Sequence, residues 1–165
     1  TENVLDAQFD PGVFLLAFNT GTTLKAVLAS NGAAMPATTF SDTVTNLNHM
    51  AWNEAADTTS IYPFFIMSGT IGGQHCVIAF HGNEEGLKQV PDWKVEVGAA
   101  VRDLTVSPAQ NTRGRQFAIG HDAVAGNIVS IHDYLSADQV ATVASTEIDS
   151  IRGMNWLKIP GAISA

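Results

Sequence analysis

Cysteine is almost missing from this 165-residue chain. Cys76 stands alone, so no intrachain disulfide can staple the fold. Basic residues are scarce as well, with eight Lys+Arg against sixteen Asp+Glu. The resulting formal charge of -8 repels phosphate backbones and anionic lipid surfaces, so neither nucleic acid nor a membrane surface is an expected partner. No apolar run approaches the roughly 18 residues that a membrane-spanning helix needs, and no basic stretch followed by an apolar one opens the chain. Charged residues make up only 15% of the chain against 45% hydrophobic ones, which excludes global disorder and suits one packed core. We therefore expect a single domain over residues 1–165. Thr1 in place of an initiator methionine is read as the start of a mature or excised fragment.

What the chain does have is a succession of short apolar or alternating runs, punctuated by Gly, Asn, Asp and Pro. The clearest are Gly12 to Phe18, Thr23 to Ala29, Ser60 to Met67, Cys76 to His81, Trp93 to Val97, Val101 to Val106, Gln116 to Gly120 and Asn127 to Asp133. Asn31-Gly32, Gly72-Gly73, Gly82-Asn83 and Gly98 supply turns between them. The layout predicts an all-β protein. Ser136-Ala-Asp-Gln139 reads as a capping box ahead of Val140 and Val143 and predicts one short helix. Asn46 to Ala56 reads as an irregular loop, because Asn and Asp compete with helical hydrogen bonds. No period of 20 to 50 residues repeats, which argues against a propeller or solenoid.

From Trp93 onward the order of features is more specific. A strand Trp93-Lys-Val-Glu-Val97 meets a turn at Gly98, then Val101-Arg-Asp-Leu-Thr-Val106 returns. Phe117-Ala-Ile-Gly120, Gly126-Asn-Ile-Val-Ser-Ile-His-Asp133 and Tyr134-Leu-Ser-Ala-Asp-Gln-Val140 follow. This order resembles the closing half of concanavalin A-like, laminin-G-like domains over roughly Ser68 to Val143, departing from it where Ile131 to Ser136 is one residue short. The resemblance implies a jelly-roll β-sandwich of two antiparallel sheets with one or two short helical turns. Phe117, Ile119, Val129 and Ile131 would fill the space between its sheets, Gly120 would release a turn, and Leu135 would anchor the last turn.

Catalytic signals are weak. No serine sits in a Gly-x-Ser-x-Gly elbow, and His49, His75, His81, His121 and His132 lack zinc-ligand spacing. The paired carboxylates of sandwich glycosidases are absent, since Glu84-Glu85 are neighbours and Glu96 stands alone. We expect no enzyme activity and no cofactor. Calcium is a common loop ligand of such domains, and Asp42, Asp57 and Asp122 are its candidate donors, but no Asp-x-Asp-x-Asp spacing selects a site. Sugar recognition wants a flat aromatic face beside planar polar groups. Trp52, Asn53, His81, Asn83 and Glu84 combine those types and form the expected ligand-binding set. Trp93 and Cys76 read as packing residues instead. The resulting expectation is a carbohydrate-binding or adhesion module, lectin-like, extracellular or on a virion surface, with a glycan or cell-surface polysaccharide as partner. The alternative is an oligomerising structural module such as a phage tail fibre or capsid decoration; a polysaccharide-cleaving enzyme ranks third.

Overall fold

Two-residue turns dictate how this chain pairs. Gly72 and Gly73 both take positive φ (61° and 82°), as do Ala125 and Gly126 (50° and 82°). Positive φ at both central positions is the type I′ geometry whose twist matches flanking antiparallel strands, so each pair folds the chain straight back on itself. The computed structural model describes residues 6–10, 15–19, 24–28, 33–34, 43–53, 65–80, 82–83, 86–87, 91–108, 116–147 and 151–156. Its strands are β1 (Asp6–Asp10), β2 (Leu15–Asn19), β3 (Leu24–Leu28), β4 (Val44–Trp52), β5 (Phe65–Ile71), β6 (Gln74–Phe80), β7 (Gly82–Asn83), β8 (Gly86–Leu87), β9 (Trp93–Glu96), β10 (Val101–Val106), β11 (Gln116–Val124), β12 (Asn127–Asp133) and β13 (Gln139–Ala144).

The strands form sheets in the orders β1-β2-β3, β4-β5-β6-β9 and β10-β11-β12-β13, with β7-β8 a separate hairpin inserted before β9. Every pairing is antiparallel, and the three larger sheets are up-and-down meanders. β4 lies against both β1 and β10, so the first strands of successive sheets stand side by side.

The expected jelly roll is therefore corrected. A Greek key returns its fourth strand beside the first by a long connection. Here tight turns place β6 beside β5 and β12 beside β11, each sheet runs in chain order, and no strand changes sheet.

The sheets meet through alternating side chains. Ile66, Val77 and Ala79 of the first four-stranded sheet pack against Val101, Leu104, Phe117 and Ile119 of the second, with Trp93, Val95 and Val106 at the margin. Burying each such side chain is worth roughly 1.5–3 kcal/mol. Phe117 lies flat between Trp93 (centroids 5.1 Å apart) and His132 (5.0 Å), with Tyr134 edge-on at 5.8 Å. The first sheet's opposite face is also closed, by Leu47, Met67, Cys76, Ile78 and Phe80. Cys76 is thus a packing residue, its thiol 3.6 Å from the Gly69 carbonyl, while His75 points to the exposed side and meets the Thr70 hydroxyl at 3.2 Å.

Several local expectations change with the register. Phe117 faces His132 and Ile119 faces Ser130, whereas Ala118 faces Ile131 and Gly120 faces Val129. Val129 and Ile131 therefore lie on the far side of the sheet from Phe117. Gly120 is inside β11, and its lack of a side chain makes room for Ile151 and Met154, which a Cβ would meet at 3.0 and 3.1 Å.

No helix follows Ser136 among the described residues. Asp133 Oδ1 accepts hydrogen bonds from the backbone N–H groups of Leu135 and Ser136, and the Ser136 hydroxyl accepts from Asp138 N–H. These bonds use the polar side chains to build a turn, after which Val140 and Val143 continue as strand β13. Tyr134 is the buried anchor there and Leu135 is exposed. The presumed loop after Asn46 is largely β4, whose pairing with β5 overrides the weak β propensity of Asn.

Candidate functional site

Strand β12 presents Ile128, Ser130 and His132 to one face, an alternation that carries two polar groups into the gap between the four-stranded sheets. With Val95, Val97, His121 and Thr142 they line a cavity of about 170 Å³. Carbonyl oxygens only accept, so the ring tautomers follow from the partners. His132 Nδ1–H donates to the Ala137 carbonyl at 2.9 Å, leaving Nε2 to accept from the Ser130 hydroxyl at 3.0 Å. His121 Nδ1–H donates to the Asp122 carbonyl at 2.8 Å. Ala137 holds φ at 65°, a strained value for a residue with a side chain, and this aims its carbonyl at His132.

Burial holds the His132 imidazole below its ordinary value of 6.5, with the charge of His121 adding to the effect and the Ala137 hydrogen bond opposing it. A histidine depressed on folding binds fewer protons folded than unfolded. Stability is complete above pH 6.5 and is lost as pH falls through the folded value. The melting temperature should drop between pH 7 and pH 5, and His132→Asn should flatten that slope. An unchanged slope in the variant would assign the acid sensitivity elsewhere.

The carboxylates nearest this gap have partners of their own. Glu96, which also borders the cavity, sits opposite Cys76 in register and lies 3.7 Å from Lys94. Asp122 is held by the Arg102 guanidinium through two bonds of 2.8 and 2.6 Å. Asp103 accepts from Leu104 N–H at 2.9 Å and from Met154 N–H, tying segment 151–156 to the second sheet. Among the described residues, no group of three or more His, Cys, Asp or Glu side chains could hold a metal ion.

The sequence-derived set is only partly brought together. Trp52 and Asn53 adjoin at the end of β4, with Trp52 half-buried opposite Phe65 and Asn53 buried at 1% exposure. Asn83 pairs with Gly86 in the β7-β8 hairpin. His81 and Glu84 lie outside the described residues, as do Asp42 and Asp57. The residues that sequence reasoning missed are Ser130, His132 and His121. The period-2 pattern from Ile128 to His132 was the available signal, and only pairing with Phe117 and Ile119 shows that it faces the interior.

Among the strands whose burial is described, the most open is β13. All six of its residues are exposed, with Val140 at 52% and Val143 at 47%, and it is the last strand of its sheet. It carries no charge and no proline, two of the devices that normally keep an edge strand from pairing.

No protein-family model and no curated protein matches this sequence. Solved structures do match its fold. The β-propeller domain of Cps50 (Swd1) from Myceliophteria thermophila superposes with a TM-score of 0.58 at 13% identity, covering 87% of this chain and 39% of that one. Hydrazine synthase from Kuenenia stuttgartiensis gives 0.60 at 10% identity, with 88% and 38% covered. The WD40 domain of SCAP from fission yeast gives 0.54 at 10% identity, with 88% and 32% covered, and a fission yeast complex of SREBP-SCAP binding domains matches as well. The chain thus spans less than two fifths of these structures' length.

The fold is that of β-propeller blades, four-stranded antiparallel sheets repeated side by side. The concanavalin A-like, laminin-G-like family assignment is overturned, and with it the lectin-like, adhesion and tail-fibre readings that rested on that scaffold. The expectation against a propeller fails because the sheets begin at Asp6, Val44 and Val101, an unequal spacing that leaves no fixed period, the β7-β8 hairpin lengthening the sheet that starts at Val44.

Proposed function

We propose that this chain contributes blades to a protein-interaction scaffold of the propeller type and has no catalytic role. The exposed, uncharged edge of β13 carries this reading, because it offers backbone donors and acceptors beside apolar side chains. The polar groups of the gap support it too: both ring nitrogens of His132 are engaged within the protein, and the nearby Asp122 is ion-paired. Among the described residues, two four-stranded sheets and a three-stranded one are fewer than the roughly four to eight blades of a closed propeller.

A photo-crosslinking residue at position 140 should yield protein adducts in extracts of the source cells, and Val143→Lys should remove them without lowering the melting temperature. Adducts indifferent to Val143→Lys would overturn the reading, as would turnover of a small-molecule panel that depends on His132.

A further inference from the structure

The interaction reading leaves the partner's chemistry open, and the surroundings of β13 narrow it. Asp138 immediately precedes the strand and Glu147 follows it by three residues, both exposed. Between residues 116 and 147 the sequence has no lysine or arginine, so β13 and its flanks supply no cation of their own. Asp133, a further carboxylate beside the strand, accepts two backbone N–H groups in the turn. The edge is thus a neutral strip with a negative charge near each end.

That pattern argues against a second copy of the chain. Two β13 strands pairing antiparallel would bring the Asp138 of one copy near the Glu147 of the other at both ends, and like charges facing across a pair destabilise it. A partner with cations at the same separation gains at both ends.

The two faces of β13 differ as well. Thr142 lies opposite Ser130 on the side of the inter-sheet cavity, whereas Ala141 and Val143 lie opposite Ile131 and Val129 on the far side. A strand added roughly 4.8 Å beyond β13 would send alternate side chains to those two environments.

We propose that β13 takes up an extended segment of a partner protein as a fifth strand, with a basic residue at each end and polar and apolar residues alternating between. This rests on the interaction reading and goes beyond it in naming the ligand class. The cationic ends select the partner, the backbone ladder supplies the attachment, and alternation fixes the register.

The test is a titration by fluorescence anisotropy at low salt. The probe is an end-blocked peptide Lys-Val-Thr-Val-Thr-Val-Thr-Val-Thr-Lys, whose lysines match the spacing of Asp138 and Glu147, and its rivals are the same peptide with glutamate ends and a version N-methylated at alternate backbone positions. The basic peptide should bind about tenfold more tightly than the acidic one, as two surface ion pairs gained against two repulsions allow. The double variant Asp138→Lys, Glu147→Lys should reverse that order, and N-methylation should abolish binding. Equal binding of both charged peptides overturns the choice of partner, and undiminished binding of the N-methylated peptide overturns strand addition. No peptide binding, alongside crosslinks from position 140 that Val143→Lys removes, ends this proposal while leaving the scaffold reading intact. Loss of both ends both.

Discussion

Phe117→Ala should lower the unfolding free energy by about 3–5 kcal/mol, the range for removing a buried aromatic side chain and leaving a cavity. The side chain is fully buried and held between two parallel rings, Trp93 and His132, with Tyr134 edge-on. The substitution removes apolar burial and three aromatic contacts together, each contact worth about 0.5–1.5 kcal/mol beyond area. A domain of this size is stable by roughly 5–15 kcal/mol, so the variant keeps little margin. Urea unfolding followed by tryptophan fluorescence measures the change. Phe117→Leu should retain much of the lost stability by filling the space. A loss below about 1 kcal/mol for alanine would mean that the blades are not joined through this residue.

The second large effect is expected at Gly69, and its cause is crowding. A Cβ built on Gly69 would lie 2.7 Å from the Asn46 carbonyl oxygen and 2.8 Å from Leu47 Cδ2. The oxygen belongs to the neighbouring strand's backbone and cannot rotate away, and Leu47 is itself fully buried. Gly69→Ala should cost about 1–3 kcal/mol, with Gly69→Val costing more. Gly73→Ala separates crowding from conformation: nothing lies within 4 Å of its added Cβ, but φ is 82°. That variant should lose roughly 1–2 kcal/mol for the left-handed backbone alone. Denaturation midpoints for the three variants test the ranking, and a neutral Gly69→Val would contradict the close approach of β4 and β5.

Much of the strand content was legible in the residues. Val101 to Val106 and Asn127 to Asp133 run as read, and Gly72-Gly73 turns as its composition demands. Where reading failed, a side chain had two uses. Ser136 and Asp133 can start a helix or build a tight turn, and the adjoining strand pairing selects the turn. Asn46 and Asn48 disfavour a strand intrinsically, yet β5 supplies a full partner for the segment.

The site was less legible still. Trp52 and Asn53 attract attention by type, but burial of Asn53 is a property of the assembled sheet. His132 looked like one of five scattered histidines until pairing set it on Phe117.

By itself, the amino-acid order determined strands, turns and an acidic chain lacking disulfides, because backbone conformation and charge are local properties of residue types. Only the tertiary structure decided that consecutive strands share a sheet, that sheets stack as blades, and that β13 is left at an edge. Those outcomes depend on which faces find each other across long stretches of chain, and a short alternating strand serves a sandwich or a propeller equally well.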